Sequence, residues 1–228
     1  MAKKIKYIVV FVLQVALSFS YAAEKPNNIA NFLPDKDLPG YLKYLESNNY
    51  LVNHPIDFFK EIVNITINND EVTVDGKYFI RSNSLITEKT MLYYPFPIEN
   101  GKYEYPHSIS VYESEELEKE KDVQYIKRYP GIICDVNISS NTVKYLRFCY
   151  KQKIIGKEAV LILTTARVWF KNIEYAEFIV NLPSKTQDVN LSYAPNKIEK
   201  DCDRTNYYVI RENFVPEQDL VVKWKSQQ

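Results

Sequence analysis

Glycine is scarce in this chain, with 5 in 228 residues, beside 2 Met, 2 Trp, 2 His and 3 Cys. No Gly-rich phosphate loop occurs, and neither GxSxG nor HExxH is present. His54 and His107 stand far apart, and no CxxC or zinc-like spacing exists. No cofactor and no metal site is therefore read from the residues. An excess of either charge is missing as well: 29 Lys+Arg face 29 Asp+Glu. Without a basic stripe there is no footprint for nucleic acid.

What is present is apolar and aromatic. The hydrophobic share is 46% and the aromatic share 14%, too high for a disordered chain and ample for a core. Length allows one large domain or two small ones. Tyr 19, Ile 22, Lys 23 and Asn 19 stand out, an excess that AT-rich codon usage would also produce.

The first 22 residues have the layout of a secretory signal peptide. Lys3, Lys4 and Lys6 give a positive start, and Ile8 to Leu17 is apolar except for Gln14. Ser20-Tyr21-Ala22 supplies the small-residue end, so cleavage is expected after Ala22. The alternative is a permanent anchor, but the apolar run falls short of the roughly 20 residues a spanning helix needs. The expected protein is exported, to the periplasm or the extracellular space, with membrane contact only through an uncleaved leader. Losing residues 1–22 removes three Lys and no acid, which leaves 26 basic against 29 acidic residues, or −3. The excess sits in Glu113–Asp122 (ESEELEKEKD), with six acids and two Lys. That segment reads as a solvated loop or a marginal helix. It lacks the alternating Asp/Asn ligands around a turn that calcium needs.

Three cysteines in an exported chain permit one bond and one free thiol. Cys134 and Cys149 flank what reads as a hairpin at Ser139-Ser140-Asn141, so a Cys134–Cys149 disulfide competes with no disulfide at all. Alternation opposes the bond. Ile132, Cys134, Val136 and Ile138 share one face, whereas Leu146, Phe148 and Tyr150 face away from Cys149.

Residues 23–56 give mixed signals, with Pro26, Pro34, Pro39 and Gly40 interrupting them and one or two helical turns conceivable over Tyr41–Glu46. From residue 57 to 228 the reading is strand after strand. Val63, Ile65 and Ile67 alternate with polar residues, and after Asn68-Asn69-Asp70 the same period returns in Val72, Val74, Tyr78 and Ile80. Further strands are expected at 89–94, 107–112, 131–138, 143–151, 159–165, 173–182, 188–193, 206–211 and 219–225. The expected fold is all-β, an antiparallel sandwich of roughly ten strands.

The candidate binding feature is aromatic. Tyr93, Tyr94, Phe96, Tyr103 and Tyr105 crowd a stretch punctuated by Pro95, Pro97 and Pro106. If exposed on a loop, they would stack on sugar rings or anchor a partner protein. Tyrosine also has high strand propensity, and plain packing is the competing explanation. No catalytic residues are nominated. A hydrolase acting on polysaccharide or peptide would need two carboxylates brought together by the fold, one with a shifted pKa.

Two segments taken together resemble a group of exported bacterial β-sandwich proteins classed as a domain of unknown function. One spans Val72–Pro97 and contains DGKYFIRSNSLITEKTMLYYPFP. The other is Leu161–Pro183, LILTTARVWFKNIEYAEFIVNLP, with Thr164, Thr165, Trp169, Ile173, Ala176, Phe178 and Pro183. The resemblance covers most of residues 58–225 and departs at Phe170-Lys171-Asn172, where a glycine-containing turn is expected. It implies export and a sandwich, and offers no catalytic residues. The sequence thus leads to an exported, non-enzymatic binding or structural module of the bacterial cell envelope, whose partner is another envelope protein or a glycan.

Overall fold

A computed structural model of the chain describes residues 56–225 apart from 69, 116–118, 165 and 167–170. The leader, the extension up to residue 55 and Trp169 lie outside the described residues.

Period-two alternation builds the molecule. β1 (Ile56–Asn68) turns Val63, Ile65 and Ile67 inward and leaves Asn64 and Asn68 exposed. β2 (Glu71–Ser82) returns antiparallel along its whole length, from Asn68↔Glu71 to Ile56↔Ser82, burying Val72, Val74 and Ile80. There follow β3 (Glu88–Pro95), β4 (Ser108–Ser114), β5 (Lys121–Asp122), β6 (Tyr125–Arg128) and β7 (Gly131–Ile138). The chain continues through β8 (Val143–Lys153), β9 (Glu158–Leu161), β10 (Ile173–Pro183) and β11 (Gln187–Leu191). It ends with β12 (Lys197–Lys200), β13 (Arg204–Phe214) and β14 (Leu220–Lys225).

The fold is all-β and sandwich-like, with open sheets packed over one apolar core. The large sheet has eight strands in the order β12-β13-β10-β1-β2-β8-β4-β5. Two three-stranded sheets, β3-β7-β6 and β11-β14-β9, complete the set. The sheet of β3 packs on the large one through Tyr94, whose ring stacks on Phe148 of β8 at 4.3 Å between centroids.

Several expectations need correction. The described residues hold fourteen strands rather than about ten. The sandwich is not purely antiparallel, because β1 pairs with β10 in parallel from Lys60↔Tyr175 to Thr66↔Asn181. β7 and β8 are not a hairpin. β7 pairs with β3 and β6, whereas β8 pairs with β2 and β4, so the chain changes sheets across Ser139–Thr142.

That change of sheet also decides the cysteines. Cys134 is buried in the small sheet, and Cys149 belongs to the large one, where its thiol donates to Asp75 Oδ1 at 3.4 Å. All three cysteines are free, so the Cys134–Cys149 disulfide is absent. Burial pushes the Cys134 thiol up to about 12 and that of Cys149 up to about 11.

The acidic segment is more than a solvated face. Glu113, near the end of β4, accepts a hydrogen bond from the buried Lys144 at 2.8 Å, with Glu115 3.7 Å from the same ammonium. Glu120 binds Arg147 and accepts from Tyr145 Oη at 2.6 Å. Its acids neutralise cations on β8.

Candidate functional site

β1 carries a register shift between Phe58 and Lys60 against β2. One extra residue in a strand re-aims the side chains beside it. Here it lets Phe58 and Glu61, which simple alternation would send to opposite faces, both point inward. Glu61 thus continues the inward row of Val63, Ile65 and Ile67, and only 3% of it is exposed.

The carboxyl opens on a cavity of about 80 Å³ where the three sheets meet. The large sheet contributes Phe58 and Glu61 from β1, Tyr78 and Ile80 from β2, and Leu146 and Phe148 from β8. β3 adds Leu92, Tyr93 and Tyr94, and the third sheet adds Leu161 with the residues after it, Leu163 and Ala166. Asp219 fixes that last wall: its Oδ1 accepts from the backbone N–H of Leu163 at 2.9 Å and of Thr164 at 3.0 Å, and from Thr164 Oγ1 at 2.8 Å.

Aromatic rings surround the acid. Tyr78 lies edge-on to both Tyr94 and Phe148, with centroids 5.7 Å apart in each case, and 6.1 Å from Phe58. The Tyr78 and Tyr94 hydroxyls bond to each other at 2.9 Å. A Cβ at Gly76 would stand 2.6 Å from the Tyr78 hydroxyl, so glycine leaves room for that ring.

One polar atom in this setting is not satisfied. Glu61 Oε1 has no hydrogen-bond partner among the described residues. Desolvation favours the neutral acid, and burial pushes Glu61 from its ordinary 4.5 up to about 8. Burial likewise holds Tyr78 and Tyr94 well above the usual phenol range. At neutral pH Glu61 is therefore mostly protonated, and Tyr78 and Tyr94 beside it are neutral.

The five aromatics nominated from the sequence do not form an exposed patch. Phe96 and Tyr103 are buried, and Tyr93, Tyr94 and Tyr105 are partly so. Phe96 packs edge-on to Tyr105 and Tyr150, at 5.5 and 4.9 Å between centroids. Tyr103 Oη donates to Glu158 at 2.7 Å, and Tyr105 Oη donates to the Gly131 carbonyl at 2.9 Å. The buried Gln152 ties down the same loop, its Nε2 donating at 2.7 Å to the carbonyls of Pro97 and Glu104. Only Tyr93 and Tyr94 reach the cavity.

The paired carboxylates a hydrolase would need do not converge at this cavity, where Glu61 is the one acid of the lining. Asp75 and Glu120 do approach one another, but through Arg147, which binds Asp75 with two bonds of 2.7 Å and Glu120 at 3.0 Å. That guanidinium holds Asp75 below its ordinary range, the opposite of what a general acid requires. His107 lies 3.2 Å from Glu71 at the surface, with no cysteine bonded to it. Among the described residues no group of three or more His, Cys, Asp or Glu is placed to hold a metal ion.

Glu61 is the residue the sequence reading passed over. Its signal was parity: position 61 falls in step with Val63, Ile65 and Ile67, so an acid occupies an apolar row.

No family model and no curated protein matches this chain. Among solved structures it is similar to a provisionally assigned nutrient binding protein from Legionella pneumophila, with a TM-score of 0.57 and 14% identity. That match covers 74% of this chain and 66% of the Legionella protein, and shows a common fold. An M1 zinc metallopeptidase from Deinococcus radiodurans aligns with a TM-score of 0.45 and 8% identity, over 74% of this chain and 42% of the peptidase.

Proposed function

We infer that the chain is an exported binding module of the bacterial cell envelope that takes a small ligand into the Glu61 cavity. One observation carries the reading: a carboxyl oxygen buried in an aromatic cavity without a hydrogen-bond partner among the described residues. A buried unsatisfied polar atom costs stability, and a ligand that supplies the missing partner recovers that cost. An apolar cavity with one convergent polar group and a shifted pKa is the usual form of a small-molecule site. The layout of residues 1–22 supports export. The Legionella protein of similar fold carries a nutrient-binding description, with which a small ligand here agrees. An envelope-protein or glycan partner would then act on top of this site rather than through the packed aromatics of 93–105.

The test is thermal melting of residues 23–228 against a panel of small metabolites, in the wild type and in Ala166→Trp, which fills the cavity. At least one compound should raise the wild-type Tm and leave the filled variant unchanged. A panel with no effect on the wild type, or with equal effects on both proteins, overturns the reading. Sequencing of the protein recovered from its own cells should begin at Ala23 in the envelope or medium. An intact leader in the cytosolic fraction removes the export half.

A further inference from the structure

The cavity offers an unusual pairing of groups. At its wall is one acid whose Oε1 has no partner among the described residues, and aromatic rings stand around it. One hydroxyl of the Tyr78–Tyr94 pair donates to the other, and among the described residues neither lies within hydrogen-bond reach of Glu61 Oε1. A ligand that satisfies the acid must therefore bring the donors. A neutral hydroxyl brings one. A primary ammonium brings three and also draws on the ring faces, which attract cations. The remaining walls, Ile80, Leu92, Leu146 and Leu161, are apolar and suit a short hydrocarbon chain behind the head group.

We propose that the Glu61 cavity binds the ammonium head of a primary amine, the cation lying against the Glu61 carboxylate beside the rings of Tyr78, Tyr94 and Phe148, with its alkyl chain along Leu92 and Leu161. The proposal rests on the binding-module reading and narrows it to a ligand class. Binding forms no covalent bond. The Glu61 carboxyl gives its proton to solvent as the cation enters, so an ion pair replaces a neutral acid. Among the described residues, the titratable side chains lining the cavity with Glu61 are Tyr78 from β2 and Tyr93 and Tyr94 from β3; burial holds the phenols of Tyr78 and Tyr94 well above the usual range. Phe148 of β8, Leu161 of β9, Leu163 just past that strand, and Ala176, which pairs with Glu61 from β10, bring no charge. The proton released on binding is then that of Glu61.

The experiment titrates the mature protein with butylammonium and, separately, with 1-butanol, an uncharged analogue of nearly the same shape. Backbone amide shifts of Glu61, Tyr78 and Tyr94 register even weak binding. Butylammonium should bind more tightly at pH 9 than at pH 7 by about ninefold, because the ionised fraction of Glu61 rises from roughly a tenth to roughly nine tenths. The amine itself stays largely protonated over that range. Glu61→Gln, which keeps the size of the side chain, should abolish that pH dependence and weaken butylammonium at least tenfold while leaving 1-butanol little changed. Equal, pH-independent binding of both probes overturns the ammonium assignment and leaves the binding-module reading standing. Failure of butylammonium to shift these amides at either pH overturns the assignment too. The melting panel and the Ala166→Trp variant then decide the wider reading separately.

Discussion

Glu61 shows how much one side chain can owe to its surroundings. In the unfolded chain its carboxyl titrates near 4.5, and in the folded protein near 8. Between those values the folded state keeps a proton that the unfolded chain has released, so stability falls as pH rises. The stabilisation is complete below about pH 4.5, is lost as pH climbs through the folded value, and changes no further above it. Over the window from about pH 5 to about pH 9 the loss should amount to roughly 3–5 kcal/mol, since a tenfold change in proton affinity is worth about 1.36 kcal/mol. Glu61→Gln does not titrate and removes this slope. Urea unfolding of both proteins across the window should therefore show the variant gaining on the wild type as pH rises. Parallel profiles would mean that Glu61 is ionised throughout and the cavity wet. At this scale the sequence was partly legible. Parity places Glu61 in an inward row, but only the bulge beside Phe58 and the closure of three sheets show that its Oε1 meets no partner among the described residues.

Strands with one wet face were legible because burial imposes the period: Gly131–Ile138 begins and ends where alternation predicts. Strands without a buried face were not. All four residues of β12 are exposed, as are both of β5 and three of four in β6. Their pairing is backbone hydrogen bonding along an edge, which leaves no pattern in side chains. β3 and β7 show what an element demands of one residue. A Cβ at Gly131 would sit 2.2 Å from the Tyr94 carbonyl and 2.9 Å from the Pro95 Cα, both backbone atoms of the paired strand. At Gly76 the obstacle is the tip of the Tyr78 ring, which can swing aside. Gly131→Ala should therefore destabilise by about 1–3 kcal/mol or more, and by more than Gly76→Ala. It should also blunt ligand binding, because the displaced segment of β3 carries Tyr94. Urea midpoints of the two variants provide the check, and equal values would show that β3 yields freely at this point.

The connection between distant parts of the chain is what sequence reading could least supply. Alternation says which face of a strand is buried but not which strand lies beside it. The hairpin imagined between Cys134 and Cys149 was the nearest pairing in sequence, and the two strands in fact serve different sheets. The parallel pairing of β1 with β10 is the most distant consequence. It brings Val63 beside Phe178 and Ile65 beside Val180, across more than a hundred residues of chain, and sets β1 at the interior of the large sheet rather than at its edge. Strands before and after residues 113–122 therefore share one sheet and belong to one folding unit. A fragment ending at residue 157 would keep β1 to β8 but lose β10, exposing the β1 edge with its row of unpaired N–H and C=O groups. It would also lose β9 and β14, which form the third sheet and, through Leu161, one wall of the cavity. Burial lost along a central strand takes away cooperativity along with stability. Residues 23–157 expressed alone should therefore show no sharp thermal transition and should associate through the open edge, measured by calorimetry and sedimentation. Co-expression with residues 158–228 should restore both a single transition and the Glu61 cavity. A monomeric fragment that melts cooperatively by itself would place the core within β1 to β8 and make the later strands an addition to a complete domain.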